Sequence, residues 1–180
     1  MKLAPRMIAS MNVLQASVPE LDRMIKEKIS AQKVIEHLGW SGPLGAPELG
    51  VSCDENGNWQ VFYRKGHPPR LLATRLSASE TNAENGFALL PTNEDGEWFV
   101  ESIDQRYRTV LVVAQAIMTR EPEFLANGPA HIRGQALAVI ANDCGIHETT
   151  VERAAAQKTI ETPWGVFDLV SFLVPTAPQS

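Results

Sequence analysis

The sequence predicts a mainly α-helical protein that contains a helix-turn-helix and one small β-hairpin. Two short apolar helices meet at a glycine in the last third of the chain, and a long amphipathic stretch precedes them. One further stretch alternates apolar with polar residues beside an Asn-Gly pair. Hydrophobic residues make up 44% of the 180 residues and charged residues 21%, which is typical of a folded globular protein.

Residues 137–158, LAVIANDCGIHETTVERAAAQK, have the spacing of a helix-turn-helix. Ala141 is small where the two helices cross, and Gly145 can take the positive φ that a tight turn needs. His147 can cap the second helix, which is predicted to run to about Lys158. The shared apolar wedge consists of Ile140, Cys144, Ile146, Val151 and Ala154.

Outward-facing side chains of this second helix are the candidate DNA contacts. They are His147, Thr149, Thr150, Arg153, Gln157 and Lys158. Residues 129–180 contain three fixed cations, Arg133, Arg153 and Lys158, and five carboxylates. Because DNA affinity comes mainly from neutralising phosphates, this region is predicted to bind duplex DNA weakly when alone. A larger DNA-bound partner would supply the remaining affinity.

Two helices are predicted at the amino end of the chain. The first covers residues 5–16, and Ser17 with Glu20 forms a capping box for the second. The second helix is predicted to continue toward Gly39 on its apolar spacing. A Gly- and Pro-rich loop at 40–47 then marks a boundary.

The middle of the chain contains the single β signal. Residues 51–63 are predicted to form a hairpin with a tight turn at Asn56-Gly57. Residues 64–97 are predicted to be mostly loop, with a short helix near 79–85. One long helix is predicted at 98–120, and Pro122 should end or kink it.

These patterns divide the chain into four parts. Residues 1–40 form a helical segment and residues 41–97 a linker with the hairpin. Residues 98–174 contain the long helix and the helix-turn-helix, followed by a turn and a short strand or packing tail. Residues 175–180 are a terminal tail.

The sequence contains no motif of enzyme catalysis, metal binding or cofactor binding. It lacks a phosphate-binding Gly loop, and its four histidines show neither metal spacing nor a nearby nucleophile. Cys53 and Cys144 are predicted to stay reduced. The longest apolar run, residues 110–114, is too short to span a bilayer, and no secretory signal is present. We therefore predict a cytoplasmic, non-enzymatic protein with no cofactor, no membrane partner and no small-molecule substrate.

Three separated segments carry a family resemblance. They are KLAPRMIASMNVLQASVPELDRMIKEKI, GVSCDENGNWQVFYRKGHPPRL, and a stretch that runs from IDQRYRTVLVVAQAIMTREPEFLANGP through HETTVERAAAQK to TPWGVFDLVSFL. In this order they resemble the regulatory region, a short hairpin segment, and the core-binding and helix-turn-helix part of the RpoN family. These are the enhancer-dependent bacterial sigma factors.

The resemblance implies protein partners and a DNA partner. Core RNA polymerase and promoter DNA are expected, and an enhancer-binding activator ATPase is a further candidate. The polar residues Gln105, Arg106 and Arg108 of the long helix are candidate surface contacts. The amino-terminal candidates for contact with polymerase or activator are Met7, Met11, Leu14, Gln15 and Leu21.

The chain also departs from the family pattern. Glu152 stands where the family run His-Glu-Ser-Thr-Val-Ser-Arg has a small hydroxyl residue, and Trp164 replaces the arginine of a Thr-Pro-Arg-Gly turn. Val170-Ser171 replaces a Lys-Tyr pair. Family members are much longer and continue into a domain that reads the upstream promoter element. The resemblance therefore predicts a shortened member without autonomous promoter recognition.

Two other interpretations stay open on the sequence. One is a free-standing helix-turn-helix repressor that binds operators as a dimer. The other is a decayed remnant of a sigma factor, which Pro122 in the long helix, Glu152 and the acidic balance favour.

Overall fold

The computed structural model describes residues 4–30, 34–37, 46–64, 67–69, 71–73 and 94–174. Within these residues the α-helices are α1 Pro5–Gln15, α2 Val18–Ser30, α3 Glu94–Thr119, α4 Pro122–Asn127, α5 Leu137–Cys144 and α6 Glu148–Ala155. The strands are β1 Val34–His37, β2 Leu49–Cys53, β3 Trp59–Tyr63, β4 Leu71–Ala73, β5 Gln135–Ala136, β6 Thr159–Thr162, β7 Gly165–Asp168 and β8 Leu173–Val174. Two 3-10 turns lie at Pro129–His131 and Leu169–Phe172. The predicted mainly α-helical class is confirmed.

The long helix α3 organises the core. Its apolar residues recur every three or four positions, so one stripe is buried along its length. The amino-terminal half of α3 packs against α1 and α2 through Phe99, Ile103 and Tyr107. Its carboxy-terminal half packs against the sheet and the helix-turn-helix. Pro122 begins α4, because proline suits a first helical turn and cannot continue the preceding helix.

The sheet is larger than the predicted single hairpin. Its strand order is β3-β2-β6-β7, with β2 antiparallel to β3 and β6 parallel to β2. Leu49 of β2 lies opposite Ile160 of β6, and both side chains are buried. The chain after the helix-turn-helix therefore returns to extend the hairpin, and burial of this pair stabilises the join.

Helix α3 supplies hydrogen-bond partners for backbone groups on the outer edge of β3. The Gln115 side chain accepts a hydrogen bond from the Val61 amide at 2.8 Å and donates one to the Trp59 carbonyl at 3.1 Å. The hairpin connection is longer than the predicted two-residue turn, because Cys53 pairs with Trp59. The Asp54 carboxylate orders this loop by accepting from the Asn58 amide at 2.8 Å, which lowers the pKa of Asp54.

The capping box at the amino end is confirmed. Glu20 Oε2 accepts from the Ser17 amide at 2.9 Å, and Ser17 Oγ accepts from the Glu20 amide at 3.4 Å. The predicted extension of the second helix toward Gly39 is wrong. Helix α2 ends at Ser30, and Val34–His37 is a strand antiparallel to β4. Strand pairing with a distant segment overrides the helical spacing there.

Two predicted elements lie in parts of the chain that the structure does not describe. The short helix near 79–85 and the tail 175–180 lie outside the described residues. No helix in the described part of the chain is both long and apolar enough to cross a bilayer.

Candidate nucleic-acid interface

The predicted helix-turn-helix is present as α5, a glycine corner and α6. Gly145 adopts φ 65° and ψ 34°, the left-handed conformation that ends α5. The Ile146 amide then donates to the Ala141 carbonyl at 3.0 Å, which fixes the corner. Ile140 and Val151 are fully buried between the two helices and α3. Packing against α3 therefore sets the direction of α6.

The Gly145 corner gives a stability prediction. A Cβ at this position meets no atom within 4 Å, so Gly145→Ala changes only the backbone conformational energy. We expect the free energy of unfolding to fall by about 1 kcal/mol. Urea unfolding followed by circular dichroism measures this change. Gly145→Asn is the matched control and should lose less, because asparagine tolerates the left-handed region. An alanine variant as stable as the parent would contradict the prediction.

His147 caps α6, as predicted. Its Nδ1 accepts a hydrogen bond from the Thr149 amide at 3.2 Å and lies 2.9 Å from Thr149 Oγ1. The cap satisfies one free amide at the start of the helix. His147 and Thr149 are both exposed at this end of α6.

The outer face of α6 is opposite the buried residues Val151, Ala154 and Ala155. Thr149 and Glu152 are exposed on it. Arg153 and Thr150 are half-buried and turn toward α1, where they line a groove of about 300 Å³ together with α1 residues. The structure thus divides the predicted DNA contacts between an open face and a flank shared with α1.

The prediction that Lys158 faces DNA is wrong, because its side chain is 0% exposed. Its Nζ donates to the carbonyls of Leu14, Gln15 and Ala156 at 3.1, 3.2 and 2.9 Å. An ammonium group has three N–H bonds, so none remains for a phosphate. Helix α6 also ends at Ala155 rather than near Lys158, and the exposed Gln157 follows with φ 55°.

Lys158 is electrostatically unusual. Burial and the charge of Arg106 lower the pKa of Lys158 to about 7, although Glu48 and Glu20 oppose this. The three carbonyl oxygens around Nζ belong to the ends of α1 and α6, where helix dipoles favour a cation. Lys158 therefore joins two helix ends that lie far apart in the sequence.

Arg106 is also buried, so its predicted role as a surface contact is wrong. Its guanidinium pairs with Glu48 at 2.6 and 3.1 Å and donates to the Ala16 carbonyl at 3.2 Å. Burial lowers the pKa of Arg106, but the facing Glu48 carboxylate raises it more, so the net shift is upward. Gln105 and Arg108 are exposed on the other side of α3.

The amino-terminal candidate contacts differ in accessibility. Met7 is 49% exposed and Gln15 is exposed, whereas Met11 and Leu14 are half-buried. Leu21 is 0% exposed and packs against α3, so it cannot meet a partner in this fold. The accessible apolar surface of α1 continues from Met7 to Ile8.

The burial of Arg106, Lys158 and Glu48 was not predicted from the sequence. Arg106 gave a signal, because it continues the apolar stripe of Ile103 at helical spacing, whereas Lys158 gave none, because it lies beyond the end of α6. For Glu48 the sequence offered none, because it lies in a Gly- and Pro-rich stretch. Among the described residues, no three His, Cys, Asp or Glu side chains converge as metal ligands.

Trp164 occupies the tip between β6 and β7. Its Nε1 donates to the Leu125 carbonyl at 3.1 Å, and its ring covers Gly128. The indole is still 46% exposed. It therefore anchors the hairpin tip to α4 and provides no charge for a phosphate.

Comparison with known proteins places this geometry in a family. The family model described as "Sigma-54, DNA binding domain" matches residues 90–179, which contain α3, the helix-turn-helix and the strands that follow. The chain belongs to the sigma-54 family. The family resemblance predicted from the sequence is thus confirmed.

Members of the sigma-54 family are similar to this chain over most of its length. The RNA polymerase sigma-54 factor of Azorhizobium caulinodans is 32% identical over 74% of the chain and 27% of its own length. The corresponding factor of Caulobacter vibrioides is 34% identical over 74% of the chain and 28% of its own length. The chain thus spans about a quarter of the length of these curated relatives.

One solved structure shares the fold. The crystal structure of Aquifex aeolicus sigmaN bound to promoter DNA matches 96% of this chain and 58% of that chain, with a TM-score of 0.52 and 17% sequence identity. At this identity the match describes the fold.

Proposed function

We propose that this sigma-54 family chain is a component of transcription initiation that meets promoter DNA through α6 while it is bound to core RNA polymerase. The observation that carries the proposal is the intact helix-turn-helix, whose second helix has an open outer face at Thr149 and Glu152. The relatives that match the chain are named RNA polymerase sigma-54 factors.

The charge of the interface supports a dependence on polymerase. With Lys158 buried, Arg153 is the fixed cation that remains on the helix-turn-helix. Glu148 and Glu152 lie on the same helix and repel phosphates. Duplex DNA is therefore bound weakly by the chain alone, and polymerase contributes most of the affinity.

Helix α1 is the proposed site of contact with polymerase or an activator ATPase. Met7 and Ile8 expose an apolar surface at its start, and methionine adapts to partners of different shape. The carboxyl end of α1 is fixed by Lys158, so this surface is held at a defined position beside α6.

The test measures binding of the full chain to a labelled promoter duplex by fluorescence anisotropy, with and without purified core polymerase. We expect a dissociation constant of about 1 µM or weaker without polymerase and at least tenfold tighter binding with it. Arg153→Ala should weaken the complex and reduce its salt dependence by about one phosphate contact. Arg64→Ala removes a cation that pairs with Glu161 on the sheet and is the matched control.

The other outcomes favour the other interpretations. Tight binding of a dimer to a palindromic duplex without polymerase favours the free-standing repressor. Failure to bind polymerase and failure to bind any duplex contradict the proposed function and favour a decayed remnant.

A further inference from the structure

The open face of α6 presents an unpaired carboxylate at its centre. Glu152 is exposed and lies one turn beyond Thr149, opposite the buried face of the helix. Within the part of the chain that the structure describes, no lysine, arginine or histidine forms an ion pair with Glu152. Its carboxylate is therefore free to interact with a molecule that meets this face.

A carboxylate restricts what α6 can recognise. In a DNA complex it is repelled by phosphates, so it stabilises binding only where a base presents a hydrogen-bond donor. In the major groove, cytosine presents its N4 amino group alone. Adenine presents an amino group beside the acceptor N7, whereas guanine and thymine present acceptors at the corresponding edge. Cytosine is thus the base that best matches an isolated carboxylate.

The position of Glu152 on the helix fits such a contact. It is the fifth residue of α6, and the amino-terminal part of the second helix contacts base edges in helix-turn-helix complexes. The next residue, Arg153, turns toward α1, so Glu152 keeps its place on the open face. The hydroxyl residue that the family pattern has at this place can pair with donors or acceptors and is less selective.

We propose that Glu152 determines base specificity in this chain by accepting a hydrogen bond from a cytosine N4 amino group in the major groove. The proposal rests on the proposed function, because it requires α6 to meet duplex DNA. Replacement of that cytosine by another base is expected to weaken binding by about 5- to 150-fold.

The test selects bound duplexes from a pool of promoter duplexes in which the base pairs that meet α6 are randomised. The full chain is bound to core polymerase during the selection. The parent chain should enrich cytosine at one position. Glu152→Ser should lose the preference at that position and keep the others. Glu152→Gln should shift the preference toward adenine, because a glutamine amide pairs with N6 and N7 together. Glu55→Gln, in the exposed β2–β3 loop, removes the same charge and should select the parental sequence.

The outcomes separate this inference from the proposed function. A Glu152→Ser variant that still selects the parental bases overturns the inference and leaves the proposed function standing. A parent complex that enriches duplexes without a cytosine preference has the same meaning. A parent complex that enriches no duplex overturns both.

Discussion

Replacing Glu48 with alanine is expected to lower the free energy of unfolding by about 3–5 kcal/mol. The change leaves the Arg106 guanidinium buried without its carboxylate, and the side chains of this pair are 0% and 2% exposed. The Nε of Arg106 already has no hydrogen-bond partner, and the remaining acceptor, the Ala16 carbonyl, is neutral and cannot replace the carboxylate charge. Chemical unfolding followed by circular dichroism measures the loss.

A double replacement separates the charge effect from packing. Glu48→Leu with Arg106→Met removes both charges and keeps most of the volume, so it should recover most of the stability. The recovery distinguishes an uncompensated charge from a cavity. A Glu48→Ala loss below about 1 kcal/mol would contradict the prediction and show that water reaches the guanidinium.

The consequences of this pair extend to the amino-terminal helices. Arg106 also donates to the Ala16 carbonyl, at the junction between α1 and α2. Lys158 donates to the two preceding carbonyls. Two buried cations from α3 and from the end of the helix-turn-helix therefore hold the carboxyl end of α1, where the helix dipole is negative. The exposed surface at Met7 and helix α6 are therefore parts of one packed unit.

The elements that were predictable from the sequence depend on local interactions. The Gly145 corner, the His147 cap and the Ser17–Glu20 capping box each need residues only two to five positions apart. The long helix α3 was predictable because its apolar stripe repeats over many turns.

The elements that were not predictable depend on distant pairing. Strand β6 pairs with β2, and the partners Leu49 and Ile160 have no sequence signal that connects them. The β1–β4 pairing likewise replaced the predicted extension of α2. At the candidate site, the position of Lys158 just after the helix-turn-helix predicts a phosphate contact. Its ammonium group donates instead to three backbone carbonyls, two of which belong to the distant helix α1.

The free energy of unfolding is expected to rise between about pH 7 and pH 9 because of Lys158. Burial, followed by the charge of Arg106, lowers the pKa of Lys158 to about 7 in the folded chain, whereas an unfolded lysine titrates near pH 10.4. Between these values the unfolded chain holds one more proton than the folded chain. Stability therefore increases with pH by at most about 1.4 kcal/mol per pH unit. Below pH 7 the lysine is protonated in both states, and the cost of burying the charge is fully present.

Lys158→Met tests this assignment, because methionine keeps an apolar stem and cannot titrate. The variant should lose the rise between pH 7 and 9, because no side chain at this position then gains or loses a proton. Gln157→Met is the matched control at the neighbouring exposed position and should keep the rise. If Lys158→Met keeps the rise in the free energy of unfolding between pH 7 and 9, Lys158 is not its source. The three carbonyls around Nζ would then keep the side chain protonated throughout this range. Carbon NMR of the Lys158 side chain measures the same titration directly, and a midpoint near pH 10 would contradict the prediction.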